Sequence, residues 1–561
     1  MSNVRHGGRI LADQLALQGC DRVFLVPGES FLAALDGLHD RPGVGTVVCR
    51  QEGGAAMMAE AYGKLTGRPG VCMVTRGPGA TNAAAGVHVA FQDSTPLVLF
   101  IGQVGRDMLD REAFQEMDYR RMFGEMAKWV AQVDRTERIP EYVSRAFHTA
   151  SSGRPGPVVL AMPEDVLAAR ADVPDARPAV PGIPKAAAGE VEAFGALLAE
   201  SERPMLIVGG GGWSPAAARD LARFSEVHQV PISASFRCQD YIDNRHPNYC
   251  GHAGIGIGPG LAERFRRCDL LIGLGSRLGE ITTSGYTLVD IPNPATRFVH
   301  VHPGAEELGR VYRPDLSVNA SAASFAAAIA ELDPGDGPDR RTWVRECAAE
   351  FRAGTRPRTT PGRVRLEHAV ARTRERLDDD AIVCNGAGNY AAWVNRYFEY
   401  RTYRTQLAPT SGSMGYGVPA AVAAALAHPD RQVVCFAGDG CFLMTGQELA
   451  TASQYGADLT VIVANNGMFG TIRMHQERHY PARVHGTALG NPDFAMLARS
   501  YGGHGVRVET DEEFDAALDD ALAHRGLSLI EVTMDPQALS PVATLDEVRA
   551  AGLARHTEAP A

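Results

Sequence analysis

The stretch GDGCFLMTGQELATASQYGADLTVIVANN, residues 438–466, decides how this chain is built. The run QVVCFA (432–437) leads into it, is apolar and ends on Gly438-Asp439-Gly440. A second apolar run, LTVIVA (459–464), ends on Asn465-Asn466. Between them, TGQELATASQYG (445–456) reads as a helix. A strand–helix–strand crossover leaves its two strands parallel, so their C-terminal ends share one edge. Open α/β sheets bind ligands at that edge. Asp439, Asn465 and Asn466 are therefore expected to converge there.

One carboxylate and one amide oxygen are hard ligands suited to Mg²⁺ or Ca²⁺, with water and phosphate oxygens completing the shell. Gly438 and Gly440 let the backbone approach phosphates closely. Either half alone reads as a plain Asp-Gly turn or a capping Asn; both at this spacing point to a metal-held diphosphate. A second loop agrees. The strand DAIVC (380–384) opens into NGAGNYAAW (385–393), where Gly386, Gly388 and Ala391 fit G-x-G-x-x-A. No acidic residue follows at the ribose distance, so a phosphate loop without a nicotinamide is the better reading. GxxxxGK[ST] is absent.

Working outward, β-branched runs alternate with Ala/Leu-rich helical stretches along the whole chain, the rhythm of parallel sheets covered by helices. PLVLFIG, PMLIVGG, DLLIGLG and RQVVCFAG are apolar at consecutive positions, as strands buried on both faces should be. At 561 residues the chain is too long for one core. Two joints divide it: ADVPDARPAVPGIPKAAAG (171–189), and DPGDGPDRR (333–341) with GTRPRTTPGR (354–363). The expectation is an α/β protein of three doubly wound parallel-sheet domains, 1–170, 190–335 and 360–540, the first and third on a shared plan. The tail from Pro541 is expected to be a short helix ending in disorder.

Hydrophobic content of 45% and charged content of 22% read as globular and soluble. The net charge of −11, without a basic block, argues against nucleic acid and membrane partners. MSNVRHGGRILADQLALQGC is not a cleavable leader, since charge interrupts its apolar pattern. The ten cysteines form no CxxC, which disfavours zinc or disulfide frameworks and suits a reducing cytoplasm.

Gly438-Asp439-Gly440 followed at this distance by Asn465-Asn466 resembles the thiamine diphosphate signature. RQEGGAAMMAEAYGKLTGRPGVCMVTRGPGATNAAAGVHVAFQDSTPLVLFIGQV (50–104), AFQE (113–116), GSRLGE (275–280) and SGSMGYGVPAA (411–421) resemble the acetolactate synthase branch of that superfamily. The likeness spans nearly the whole chain, in order. It implies pyrimidine-binding, central and diphosphate-binding domains, thiamine diphosphate and Mg²⁺.

The resemblance also implies roles. Glu52 matches the glutamate that hydrogen-bonds the cofactor aminopyrimidine; read alone, it is an acid at a helix N-terminus. Met414 matches the apolar prop that bends the cofactor, and the Gly412 carbonyl faces its amino group. Pro27 and Gly28 belong to the pyrimidine side. Gly388, Asn389, Tyr390, Gly438, Gly440 and Cys441 belong to the diphosphate side. Asp439, the Asn466 side chain and the Met468 carbonyl are the metal ligands. Since Glu52 and Asp439 lie in different domains, and the family supplies them from different subunits, a homodimer or homotetramer with active sites between subunits is implied.

The implied reaction is decarboxylation of a 2-oxo acid with carboligation of the enamine to a second carbonyl. An aldehyde-releasing decarboxylase is the close alternative, and a non-catalytic cofactor-binding relative the alternative of another class. Phe114 and Gln115 match residues lining the reacting centre, and Arg277 matches an arginine suited to the carboxylate of the second acid. Other positions depart from the branch. Its tryptophan after Asn-Asn is missing and His475 lies in that segment; Glu164 replaces a lysine; Arg76 in VTRGPG is an added cation. Arg76 and His475 are candidates for recognising a polar substrate or relaying a proton, against the plainer readings of an acid-bound arginine and a partly exposed histidine. PMLIVGGGGW (204–213) and HAGIGIGPG (252–260) resemble FAD-contacting segments, but His302 stands where the branch has an acid, which leaves FAD open.

Overall fold

The computed structural model describes residues 4–558, with side chains through Arg555. It contains three six-stranded sheets, each parallel throughout. In spatial order the first runs Gly45–Val48, Arg22–Leu25, Gly70–Val74, Leu97–Gln103, Pro157–Pro163, Trp129–Gln132. Ranked by chain position, that order is 2-1-3-4-6-5. The third sheet runs Gln406–Leu407, Ile382–Asn385, Val433–Gly438, Leu459–Asn465, Leu527–Thr533, His504–Val508, which has the same ranking. The shared plan expected of these two domains is thus an identical strand order. The central sheet runs Tyr249–His252, Ile232–Ala234, Pro204–Val208, Leu270–Leu274, Arg297–Val301, Leu316–Val318, a 3-2-1-4-5-6 order.

Strands such as Leu97–Gln103 and Pro157–Pro163 are buried at every residue, which is why their sequences show no alternation. None of the ten cysteines is in a disulfide, and nine are buried as small apolar residues. No helix among the described residues is long and apolar enough to cross a membrane.

The chain divides into two compact units. One is Met1–Gly182 with Val422–Ala427 and Gln447–Tyr455; it contains the first sheet. The other holds the central and third sheets. Within that second unit, Asp240 accepts from the Thr405 and Gln406 amides, and Arg237 donates to the carbonyls of Pro409 and Gly386.

The stretch 438–466 has the two expected strands, parallel, with Gly438 opposite Ala464. The helix expected over 445–456 is present as a 3₁₀ turn, Gly446–Glu448, running directly into Leu449–Gln454, and a separate helical turn, Asp439–Phe442, precedes it. Gly446 packs on the Phe442 ring, where a Cβ would lie 2.7 Å from it, and Thr445 Oγ1 donates to Gly415 O, so the chain turns instead of winding on. The second joint encloses a helix, Arg341–Gly354, that packs on the central sheet through Trp343 Nε1 on Pro204 O at 2.8 Å. The tail helix Leu545–Glu558 has 14 residues, longer than expected, because Arg549 is fastened to the buried Glu477. The expected disorder at the very end falls on 559–561, outside the described residues.

Candidate active site

In the third sheet the strand order reverses between Ile382–Asn385 and Val433–Gly438, a topological switch point where doubly wound sheets open a crevice. The loops after these strands form a solvent-open cleft of about 540 Å³. Its lining includes Gly388, Asn389, Tyr390, Met414, Gly438, Asp439, Gly440, Cys441, Asn466 and Met468. The structure thus gathers most of the expected diphosphate and metal residues in one place. Gly412 is outside that lining and turns the chain at φ 68° shortly before Met414. Met414 packs, partly buried, against the third domain's core.

Each cleft residue is held by a local bond. Gly388 has φ 146°, a backbone that only glycine adopts freely. Asn389 accepts from Thr471 Oγ1 at 2.9 Å and donates to Leu539 O at 2.9 Å. Tyr390 OH accepts from the Gly386 amide at 2.9 Å and reaches Cys441 Sγ at 3.4 Å. A Cβ at Gly440 would lie 2.6 Å from the Phe469 ring.

Asp439 is 3% exposed. Its Oδ1 accepts from the Gly440 amide at 2.8 Å, and its Oδ2 from the Gly467 amide at 2.9 Å and Asn491 Nδ2 at 2.8 Å. Burial pushes its carboxyl above the usual aspartate range, against these hydrogen bonds. None of those partners carries a charge. Asn466 Oδ1 accepts from the Met468 amide at 3.2 Å, so two of the three expected metal residues share one tight turn.

Asn491 has no counterpart in the sequence expectations. It also donates to Asn465 Oδ1 at 2.9 Å, and its own Oδ1 is buried without a partner. Asn465 in turn donates to the fully buried Glu531 at 2.8 Å. Asn465 therefore braces the site from behind, leaving Asn466 to face the cleft. The only sequence signal for Asn491 is its place just before an Asp-capped helix, Phe494–Ser500, which reads as ordinary punctuation.

In the first sheet the reversal lies between Arg22–Leu25 and Gly70–Val74. Pro27-Gly28 follows the first of these strands and Arg76 the second. A Cβ at Gly28 would lie 2.5 Å from Thr75 Cβ, so the two loops touch. Glu52 opens the helix Glu52–Thr66 after the strand Gly45–Val48, and its Oε2 accepts from Asn82 Nδ2 at 2.9 Å.

Arg76 is 7% exposed and heavily engaged. It donates to Glu29 at 2.7 Å, Glu164 at 3.3 Å and Phe114 O at 3.2 Å. The added cation and the acid that replaces a lysine are therefore partners, and Arg76 also ties down the loop carrying Gln115. That loop is bent: Gln115 has φ 66°, while Phe114 is 73% exposed.

Arg277 is partly buried in the turn after Leu270–Leu274 of the central sheet. His475 is exposed on the helix Gly470–His479, outside the cleft lining, and stacks on His479 at 6.3 Å between centroids. Partial burial, Arg478 and His479 hold its pKa below the usual histidine range.

The central domain's switch point lies between Pro204–Val208 and Leu270–Leu274. Trp213 is 4% exposed there, with Nε1 donating to Gly209 O at 2.9 Å. That same nitrogen lies 3.3 Å from where a Cβ of Gly275 would be, and the Tyr241 ring packs against the indole in a tilted arrangement, 5.3 Å between centroids. His302 is buried, with Nδ1 3.0 Å from the Gly304 amide.

Comparison with known families agrees with this geometry. Residues 5–122 match the thiamine pyrophosphate enzyme N-terminal TPP binding domain, 191–329 the central domain, and 386–532 the C-terminal TPP binding domain. The chain is 32% identical to the acetolactate synthase large subunit of Corynebacterium glutamicum, over 92% of this chain and 84% of that protein. It is 30% identical to the acetolactate synthase isozyme 2 large subunit of Escherichia coli, over 94% and 96%. It is 29% identical to the probable acetolactate synthase large subunit of Methanocaldococcus jannaschii, over 96% and 93%.

Proposed function

Because the chain belongs to the thiamine pyrophosphate enzymes and is of the acetolactate synthase type within them, we propose that it decarboxylates a 2-oxo acid and joins the remaining acyl fragment to a second carbonyl. The observation that carries this reading is the cleft at the third domain's switch point, lined by Asp439, Asn466, Met468 and the Gly388–Tyr390 loop.

The residues present fit a divalent cation and a diphosphate. Asp439 lines the cleft with neutral hydrogen-bond donors only, so a cation entering the cleft would meet an uncompensated carboxylate. The partnerless Asn491 Oδ1 is an acceptor suited to a metal-bound water. Asp439, the Asn466 side chain and the Met468 carbonyl would hold Mg²⁺, with Gly388, Asn389, Tyr390, Gly438, Gly440 and Cys441 around the diphosphate. Thiamine diphosphate, when bound, supplies the nucleophilic carbon and the electron sink.

The chain's own residues do the rest. Glu52 holds a proton against the pyrimidine side, oriented by Asn82. Pro27 and Gly28 border that side, while Gly412 and Met414 shape the approach to it. Phe114 and Gln115 line the reacting centre, on the loop that Arg76 holds down. Arg277 is assigned to the carboxylate of the second acid. His475, outside the cleft lining, is assigned only to its rim.

Flavin is outside this proposal. The indole of Trp213 occupies the central switch point between Gly209 and Gly275, where dinucleotide phosphates would lie.

The division at 1–170, 190–335 and 360–540 belongs to the same reading, supported by one complete sheet within each span. So does assembly as a cytoplasmic homodimer or homotetramer, in which Glu52 of one copy serves the cleft of another.

The test is product analysis with Mg²⁺, thiamine diphosphate and a panel of 2-oxo acids including pyruvate. CO₂ with a carbon–carbon-linked hydroxy-oxo acid is the expected outcome. Aldehyde as the sole product would overturn the second half of the proposal.

A further inference from the structure

Glu448 is a fully buried carboxylate, 0% exposed, with no cation among its hydrogen-bond partners. Its Oε1 accepts from the Arg50 amide at 3.0 Å and the Gln51 amide at 2.9 Å. Its Oε2 accepts from the Arg50 amide at 3.2 Å and Thr451 Oγ1 at 2.6 Å. Tyr455 OH, one short helix further on, accepts from the Val48 amide at 2.8 Å. Gln454 accepts from Arg50 Nη2 at 2.6 Å. The clamp lies within one compact unit, which includes residues 447–455 together with the first domain.

The amides it engages belong to the segment that delivers Glu52. Val48 ends the strand, Arg50 and Gln51 make the turn, and Glu52 begins the helix. The Cys49 amide is already paired in the sheet with Leu25 O, and the Gly54 amide is capped by Gln51 Oε1. Side chains from 448–455 therefore satisfy the backbone donors that the strand-to-helix turn leaves over. A Cβ at Gly54 would stand 2.7 Å from Glu448 Oε1, so glycine there makes room for the carboxylate.

We propose that Glu448, seconded by Tyr455, is the positioning residue that sets the backbone from which Glu52 projects. A carboxylate accepts from two adjacent amides and from the Thr451 hydroxyl at once, whereas a methyl accepts from none. Placing it on the crossover between the metal loop and Asn465-Asn466 makes one stretch of sequence serve both halves of the chemistry. The inference rests on the assignment of Glu52 to the cofactor pyrimidine, and its test keeps the two separable.

The test uses the holoenzyme with Mg²⁺ and thiamine diphosphate. Its readouts are deuterium uptake at the cofactor thiazolium C2, cofactor affinity, and amide exchange of peptides covering residues 46–54. In E448A, C2 exchange is expected to slow about tenfold to a hundredfold. Amides 48–51 should lose protection, and cofactor affinity should change far less. E448Q, which keeps one acceptor in place, should recover most of the C2 rate, and Y455F should show a smaller loss of the same kind. E52Q separates the outcomes. If E52Q leaves C2 exchange intact, the assignment of Glu52 falls. If E52Q abolishes exchange while E448A, E448Q and Y455F all retain the parent rate, the positioning role of Glu448 is refuted. Should E448A fail to fold, E448Q and Y455F decide the matter: parent-level C2 exchange and amide protection in both would overturn it.

Discussion

Asn491 Nδ2 lies 2.8 Å from Oδ2 of Asp439, a residue 52 positions away in sequence. The same nitrogen reaches Asn465 Oδ1 at 2.9 Å. One amide therefore fixes the carboxylate expected to hold the metal and links it to the asparagine that braces it. Outer-shell partners of this kind orient ligands and tune their affinity.

Replacing Asn491 with Ala should raise the Mg²⁺ concentration needed for half-maximal activity by about 10- to 100-fold while leaving the fold intact. A Mg²⁺ titration of activity alongside a melting curve checks both halves. Unchanged Mg²⁺ dependence would remove Asn491 from the metal site.

Arg76 should behave as a clamp on the Gln115 loop. R76A leaves Phe114 O, Glu29 and Glu164 without their shared donor, a loss of about 1–3 kcal/mol in stability. Its effect on kcat/KM should be alike for acidic and neutral substrates, because the guanidinium is already occupied. A loss confined to acidic substrates would instead make Arg76 a substrate contact. Comparing a dicarboxylic with a monocarboxylic 2-oxo acid decides between them.

The Glu477 carboxylate, bonded by Arg549 and Arg473, is held down to about 2. A folded value below the ordinary glutamate value means stabilisation fully present above about pH 4.5 and lost as pH falls towards 2. The lost contribution is about 3 kcal/mol as an upper figure. The melting temperature of the parent protein should thus drop more steeply between pH 5 and 2 than that of E477Q. Parallel curves would show that the Arg549–Glu477 contact does not secure the tail helix.

Purified protein should lack the visible absorbance of oxidised flavin, and added FAD should leave Trp fluorescence unchanged. A yellow protein with stoichiometric FAD would show that Trp213 swings out of the central switch point.

Much of the site was legible from local patterns. Apolar runs ending in Gly-Asp-Gly and Asn-Asn located two strand ends, and parallel crossover geometry placed them on one edge without any tertiary information. The Gly388 loop was legible for the same reason, because a glycine at φ 146° leaves its mark as a glycine. Glu448 and Asn491 were not. Each acts on residues brought near only by folding, and each sits in a segment whose local pattern has an ordinary explanation. Arg76 was visible as an extra cation, but its occupation by Glu29 and Glu164 depends on three loops meeting.

The sequence by itself determined the α/β plan of three parallel-sheet domains and the residues at the strand ends, because periodicity and turn chemistry are local properties, and its resemblance to a known signature named the cofactor class. Only the tertiary structure decided which carboxylates face the cleft and which hold the backbone. Only it showed that Trp213 fills the central switch point. Those outcomes depend on which side chains share a buried space, and a hydrogen bond across 398 residues, such as Arg50 to Glu448, leaves no pattern in the chain that makes it.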